Sequence, residues 1–204
     1  MIAFTLGRCR VELHFGFAAA TGLLLLADRS GVCIAGALAA LFHEIGHLLC
    51  MKALGVPAVC VRLGVFGMEI LEEKRSGKSY FADVLIALAG PLANLAAFLV
   101  LLPWQLLAPS AAVFRLLAVN ALLAAFHLLP VAPLDGGQAL YAALCRRLPV
   151  STAEKLTNAV SFLTLLPLGI LGFLVLLRSR YNFTLLLVSA YLMLLMLLKK
   201  GRYY

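Results

Sequence analysis

The sequence predicts an all-α polytopic membrane protein, with about six transmembrane helices and a short β-hairpin loop between helices 2 and 3. Three observations predict it. The 204-residue chain is 64% hydrophobic and 13% charged, with a mean hydropathy of +1.03, well beyond an ordinary soluble domain. Its apolar residues gather in runs near the roughly 20 residues needed to cross about 30 Å of hydrocarbon. Its Lys and Arg residues fall unevenly among the segments between those runs.

In chain order the runs are about 11–27, 32–54, 80–102, 110–130, 156–177 and 182–198. The first has the shortest apolar core, with Glu12 and His14 at its start. Because "TGLLLLADRS" offers no small-x-small cleavage site, this run reads as a retained span and not as a signal peptide. Between the second and third runs, "GVPAVCVRLGVFGMEILEEKRSGK" (Gly55 to Lys78) mixes β-branched residues with glycines and a charged tail, the pattern of a hairpin. Open strand edges cannot face lipid, so the hairpin belongs at the cytoplasmic surface or in a cavity lined by helices. After the fourth run, "PVAPLDGGQALYAALCRRLPVS" (Pro130 to Ser151) breaks an apolar segment around an aspartate. Broken backbone at membrane depth is where sites are built. No repeat or low-complexity tract interrupts the chain, which reads as one domain, 1–204, with no soluble domain expected beyond Tyr204.

If all six runs span from a cytoplasmic N-terminus, thirteen of the seventeen Lys and Arg residues lie on the cytoplasmic side, and only Arg29, Arg115, Arg178 and Arg180 lie outside. That bias puts both termini in the cytoplasm. The net charge of +8 is then a topology signal with some attraction to anionic lipid. Aromatics do not cluster on a basic soluble face, so a nucleic-acid partner is not expected. The five cysteines are odd in number and form no C-x-x-C pair, which argues against a disulfide framework or a thiolate zinc site and for small packing residues.

The chemistry sits in "LFHEIGHLLC". In a helix His43 and His47 stand at i and i+4 on one face, so both imidazoles can reach one ion, and two neutral nitrogens suit zinc. Glu44 can then take the proton from a bound water. Ionisable groups in a span carry a penalty of about a few kcal/mol each, so their presence demands a role. A hydrolytic zinc wants a third protein ligand, and only nine acidic residues exist. Asp135 is the outstanding candidate, in "PLDGG", where Pro133 halts a helix and Gly136 and Gly137 let the backbone turn. Asp83 is a weaker rival, because a carboxylate at a helix start is favoured by the helix dipole alone.

"HEIGH" (His43 to His47), "AGPLAN" (Ala89 to Asn94) and "LLPVAPLDGG" (Leu128 to Gly137), in this order on successive apolar segments, resemble the site-2 protease family of intramembrane zinc metalloproteases. The resemblance covers most of the chain. It implies one zinc ion held by His43, His47 and Asp135, with Glu44 as catalytic base. Asn94 is carried over as a supporting polar residue, with a helix-packing amide as the other reading. Within the family the chain looks most like the sporulation branch that processes pro-sigma-K, on the strength of His14 near a short first span, "GVFGMEI" and "LLPVAPLDGG".

Two features depart from that branch. It usually carries a C-terminal cystathionine-synthase-like domain, which is not expected here. It also commonly has Asn eight residues before the ligand Asp, where this chain has His127. That imidazole could donate to substrate or to the developing oxyanion, approach the metal, or be a core histidine. Asn120, two turns earlier, is a second source of an amide. The resemblance further implies a membrane-associated protein substrate, possibly like pro-sigma-K, membrane-protein regulators, and residence in a bacterial cell membrane or the membrane around the forespore. An unwound substrate could add as a strand to the Gly55 to Ile70 loop. A metal transporter and an inactive, substrate-binding scaffold are the competing classes.

Overall fold

The computed structural model describes residues 2–6, 9–64, 67–72, 79–179 and 183–198. The described elements run β1 (Ile2–Leu6), β2 (Cys9–Leu13), α1 (Phe15–Ala27), α2 (Val32–Ala53), β3 (Ala58–Gly64), β4 (Gly67–Glu72), α3 (Tyr80–Leu107), α4 (Ala111–His127), α5 (Asp135–Cys145), α6 (Val150–Ser179) and α7 (Thr184–Leu198). They form two compact units, one of residues 1–78 and 89–125, the other of 79–88 and 126–204.

The protein is mostly helical, as expected, but not all-α. The expected hairpin is β3 and β4, paired antiparallel, and it is half of a four-stranded sheet ordered β1-β2-β3-β4. β2 lies parallel to β3, with Arg10 opposite Cys60 and Leu13 opposite Leu63. The first apolar run therefore starts later than expected, since Val11 to Leu13 belong to β2 and the helix begins at Phe15. A charged pairing explains the shift. Glu12, 8% exposed, accepts from Arg62 Nε at 3.0 Å and meets Arg10 Nε at 3.0 Å. The Arg62 hydrogen bond, with Arg10 adding, holds the Glu12 carboxyl below its ordinary range.

All six apolar runs contain helices, but among the described residues three helices are long and apolar enough to cross a membrane by length and composition: α2, α3 and α6. α3 continues five residues past the expected end at 102, with Pro91 and Pro103 inside it. α5 is an additional helix within the broken segment.

Burial is inverted relative to a soluble protein. Along α2 the buried positions are Ala35, Ala39, His43, His47 and Met51, each four residues from the last. Along α6 they include Ala153, Thr157, Ser161 and Leu165. Small and polar side chains thus face inward, while Leu26 and Leu107 are 86% and 87% exposed. Helices that pack in lipid are built this way, because small residues allow close approach and leucine gains nothing by leaving the hydrocarbon.

In the second unit, Val131, Leu134, Leu165 and Leu192 form a buried cluster, which anchors the break between α4 and α5. Freed backbone groups there need partners. Ser161 Oγ accepts from Ala132 N–H at 2.8 Å and donates to the Thr157 carbonyl at 2.7 Å. Any Cβ on Gly136 or Gly137 would strike the carbonyls of Leu128 and Val131 respectively. The two glycines let α5 start directly under the broken segment.

Candidate metal centre

α2 is fixed at both ends. Gly31, its N-cap residue, has φ +76° and no side chain to cap with. Asp28 supplies the missing acceptor, taking the N–H of Cys33 at 2.7 Å and that of Ser30 at 2.8 Å. The Ser30 hydroxyl, followed by the Cys33 N–H, holds the Asp28 carboxyl down to about 2. At the other end Gly55 adopts φ +67°. There Val56 N–H bonds Met51 O and Gly55 N–H bonds Lys52 O, the paired closure of a left-handed C-cap.

Between these ends the i, i+4 spacing does what it predicts. His43 and His47 are 2% and 8% exposed, their rings meet edge to face, and their Nε2 atoms lie 3.1 Å apart. Glu44 follows His43 and is half-buried. Two imidazole nitrogens this close need a shared proton or a shared cation. On tetrahedral zinc with Zn–N near 2.0–2.1 Å, two such donors stand about 3.3 Å apart, so the pair fits zinc.

α3 shapes the space in front of them. A Cβ on Gly46 would come within 2.7 Å of Ala89 O and Ala93 Cβ, so the two helices touch backbone to backbone there. A Cβ on Gly90 would strike Nε2 of His47 and come within 2.6 Å of Nε2 of His43. Gly90 keeps that space open, and sequence reasoning passed over it. The signal was Gly beside Pro inside an apolar helix, a choice that weakens the helix unless something approaches closely.

Asn94 is fully buried and touches three partners. Its Oδ1 lies 2.6 Å from His43 Nδ1, and its amide nitrogen donates to Ala39 O at 3.0 Å and to Asn120 Oδ1 at 2.8 Å. Asn120 in turn donates to Leu116 O at 2.8 Å. The first unit thus brings together His43, His47, Asn94 and Asn120.

The second unit brings together His127, the last residue of α4, and Asp135, the first of α5, with Nδ1 and Oδ2 2.8 Å apart. Nδ1 is as many bonds from Cα as the side-chain nitrogen of asparagine. The side-chain nitrogen of an Asn at 127 is thus long enough to reach the same carboxylate. The rival Asp83 is buried in the first turn of α3.

No family model matches the chain. The solved "Site-2 Protease from Methanocaldococcus jannaschii" matches with a TM-score of 0.66 at 25% identity, over 94% of this chain and 91% of that one. This chain has a site-2 protease-like fold. A Synechocystis sp. (strain ATCC 27184 / PCC 6803 / Kazusa) protein named "Putative zinc metalloprotease sll0528" is 38% identical over 103 residues, 48% of this chain. The match spans only 27% of that relative's length.

Proposed function

We propose that the chain is an intramembrane zinc metalloendopeptidase, with His43, His47 and Asp135 as zinc ligands and Glu44 as catalytic base. The observation that carries the reading is the paired Nε2 atoms of His43 and His47, 3.1 Å apart and facing a position where only glycine fits. Zinc, when bound, would act as a Lewis acid and bring the pKa of a water to about 7. Glu44 takes a proton from the attacking water and returns it to the leaving amine. His127 holds the Asp135 carboxylate through Nδ1.

The substrate of this reading is a membrane-associated protein, cut in or near its membrane segment. The sporulation resemblance points to a sigma-factor precursor such as pro-sigma-K. A helical substrate hides its amides in its own hydrogen bonds and must be drawn out as a strand before attack. β3 is paired on both sides, by β2 and β4, so β4 is the edge of the Gly55 to Ile70 loop to which an extended segment would add.

The test is co-expression with a tagged pro-sigma-K-like substrate, comparing the wild type with Glu44→Gln. The shortened product is expected from the wild type only, with zinc content equal in both proteins. Product from both would remove Glu44 as base; absence of zinc from the wild type would remove the metalloprotease reading itself.

A further inference from the structure

We infer that Asn94 and Asn120 are positioning residues which fix the tautomer of His43, placing its proton on Nδ1 and presenting the Nε2 lone pair as the metal-binding atom. The inference rests on His43 being a ligand, as proposed above. It starts from two backbone carbonyls. Ala39 O and Leu116 O can only accept hydrogen bonds, and each faces the side-chain amide of an asparagine. Asn120 must therefore turn its nitrogen to Leu116 O, which leaves its oxygen facing Asn94. Asn94 must turn its nitrogen toward both Ala39 O and Asn120 Oδ1, because its oxygen there would meet two acceptors.

Once both amides are fixed, Asn94 can offer only oxygen to His43, at 2.6 Å from Nδ1. A neutral imidazole carries one N–H, and an acceptor at Nδ1 draws it there. Nε2 is then the acceptor, aimed at His47 Nε2 and the space beside Gly90. Reversing either amide would set two acceptors face to face in a buried site, where an unmade hydrogen bond is expensive. The whole series lies among α2, α3 and α4, with Asn94 and Asn120 0% and 3% exposed, so water is poorly placed to substitute for any partner. Ligating histidines are oriented in this way by the partner of their other ring nitrogen, and losing that partner lowers metal affinity about 10- to 100-fold.

The experiment uses the full chain in detergent, labelled with ¹⁵N-histidine, stripped of metal and held above the titration range of its histidines. His43 is assigned by the signal lost in His43→Gln. The inference expects Nδ1 to carry the proton in the wild type and a mixture of tautomers in Asn94→Leu. Zinc affinity, read by chelator competition, should fall about 10- to 100-fold in Asn94→Leu. Proton on Nε2 in the wild type would overturn the inference, as would an unchanged tautomer and zinc affinity in a folded Asn94→Leu. A wild type that shows the Nδ1 proton but takes up no zinc supports the tautomer assignment and defeats the metalloprotease reading, so the two fail separately.

Discussion

A single hydrogen atom at position 90 separates a usable pair of histidines from a blocked one. The Cβ of Gly90→Ala would occupy the volume beside both Nε2 atoms, and both helices around it are too closely packed at Gly46 to move aside cheaply. Gly90→Ala should therefore keep its helical content, since alanine favours helix, yet lose zinc by tenfold or more in chelator competition. Unchanged zinc affinity would show that the metal sits elsewhere. At position 127 the opposite tolerance is expected. His127→Asn can still reach Asp135 and should retain zinc and cleavage within about threefold, whereas His127→Leu leaves the carboxylate without that donor and should weaken zinc binding about tenfold or more. Equal behaviour of the Asn and Leu variants would mean that the 2.8 Å pair has no part in holding the ligand.

The metal helix depends on a cap that it does not itself contain. Asp28 has a depressed pKa, about 2 against an ordinary 3.8, and a depressed carboxyl stabilises the fold fully above its unfolded value and loses that contribution as pH falls through the folded one. Local protection of the Cys33 amide, followed by hydrogen exchange in metal-free protein, should hold above pH about 4 and fall toward pH about 2. Asp28→Asn should flatten that dependence; a dependence that survives the substitution would assign it to another group. At this scale the sequence was partly legible. The helices were readable because apolar runs of this length have no other stable form in lipid, and the break at Pro130 to Gly137 because proline and glycine act locally. β2 was not readable, because the apolar residues Val11 and Leu13 run into the helix that follows and its partner β3 lies some fifty residues away, and β1, which pairs with β2 alone, went unread with it. Non-local pairing leaves little trace in a short window.

For the whole chain, the candidate site could be nominated from residue types and motif order, since His43, Glu44, His47 and Asp135 stand in helix-spaced or broken segments that elementary chemistry singles out. What could not be read was its support: Asn120 against Asn94, Gly90 before the histidines and Ser161 under the break are relations between distant segments. Topology remains to be argued from charge. α1 has thirteen residues, about 20 Å of helix against about 30 Å of hydrocarbon, so it would span only where the bilayer thins around it. If α2, α3 and α6 alone crossed, Arg8, Arg10, Arg29, Arg115, Arg146, Arg147 and Lys155 would face the other ten Lys and Arg residues, nearly an even division, with the termini on opposite sides. With all six apolar runs crossing, the division is thirteen to four and the termini share the cytoplasmic side. The positive-inside rule favours the second arrangement. Alkaline phosphatase, which is active only outside the cytoplasm, should be silent when inserted near Arg147 or fused after Tyr204, and active when inserted near Ser30 or Ser110. Opposite readouts near Arg147 and after Tyr204 would select the three-span arrangement, in which only α6 separates those two points.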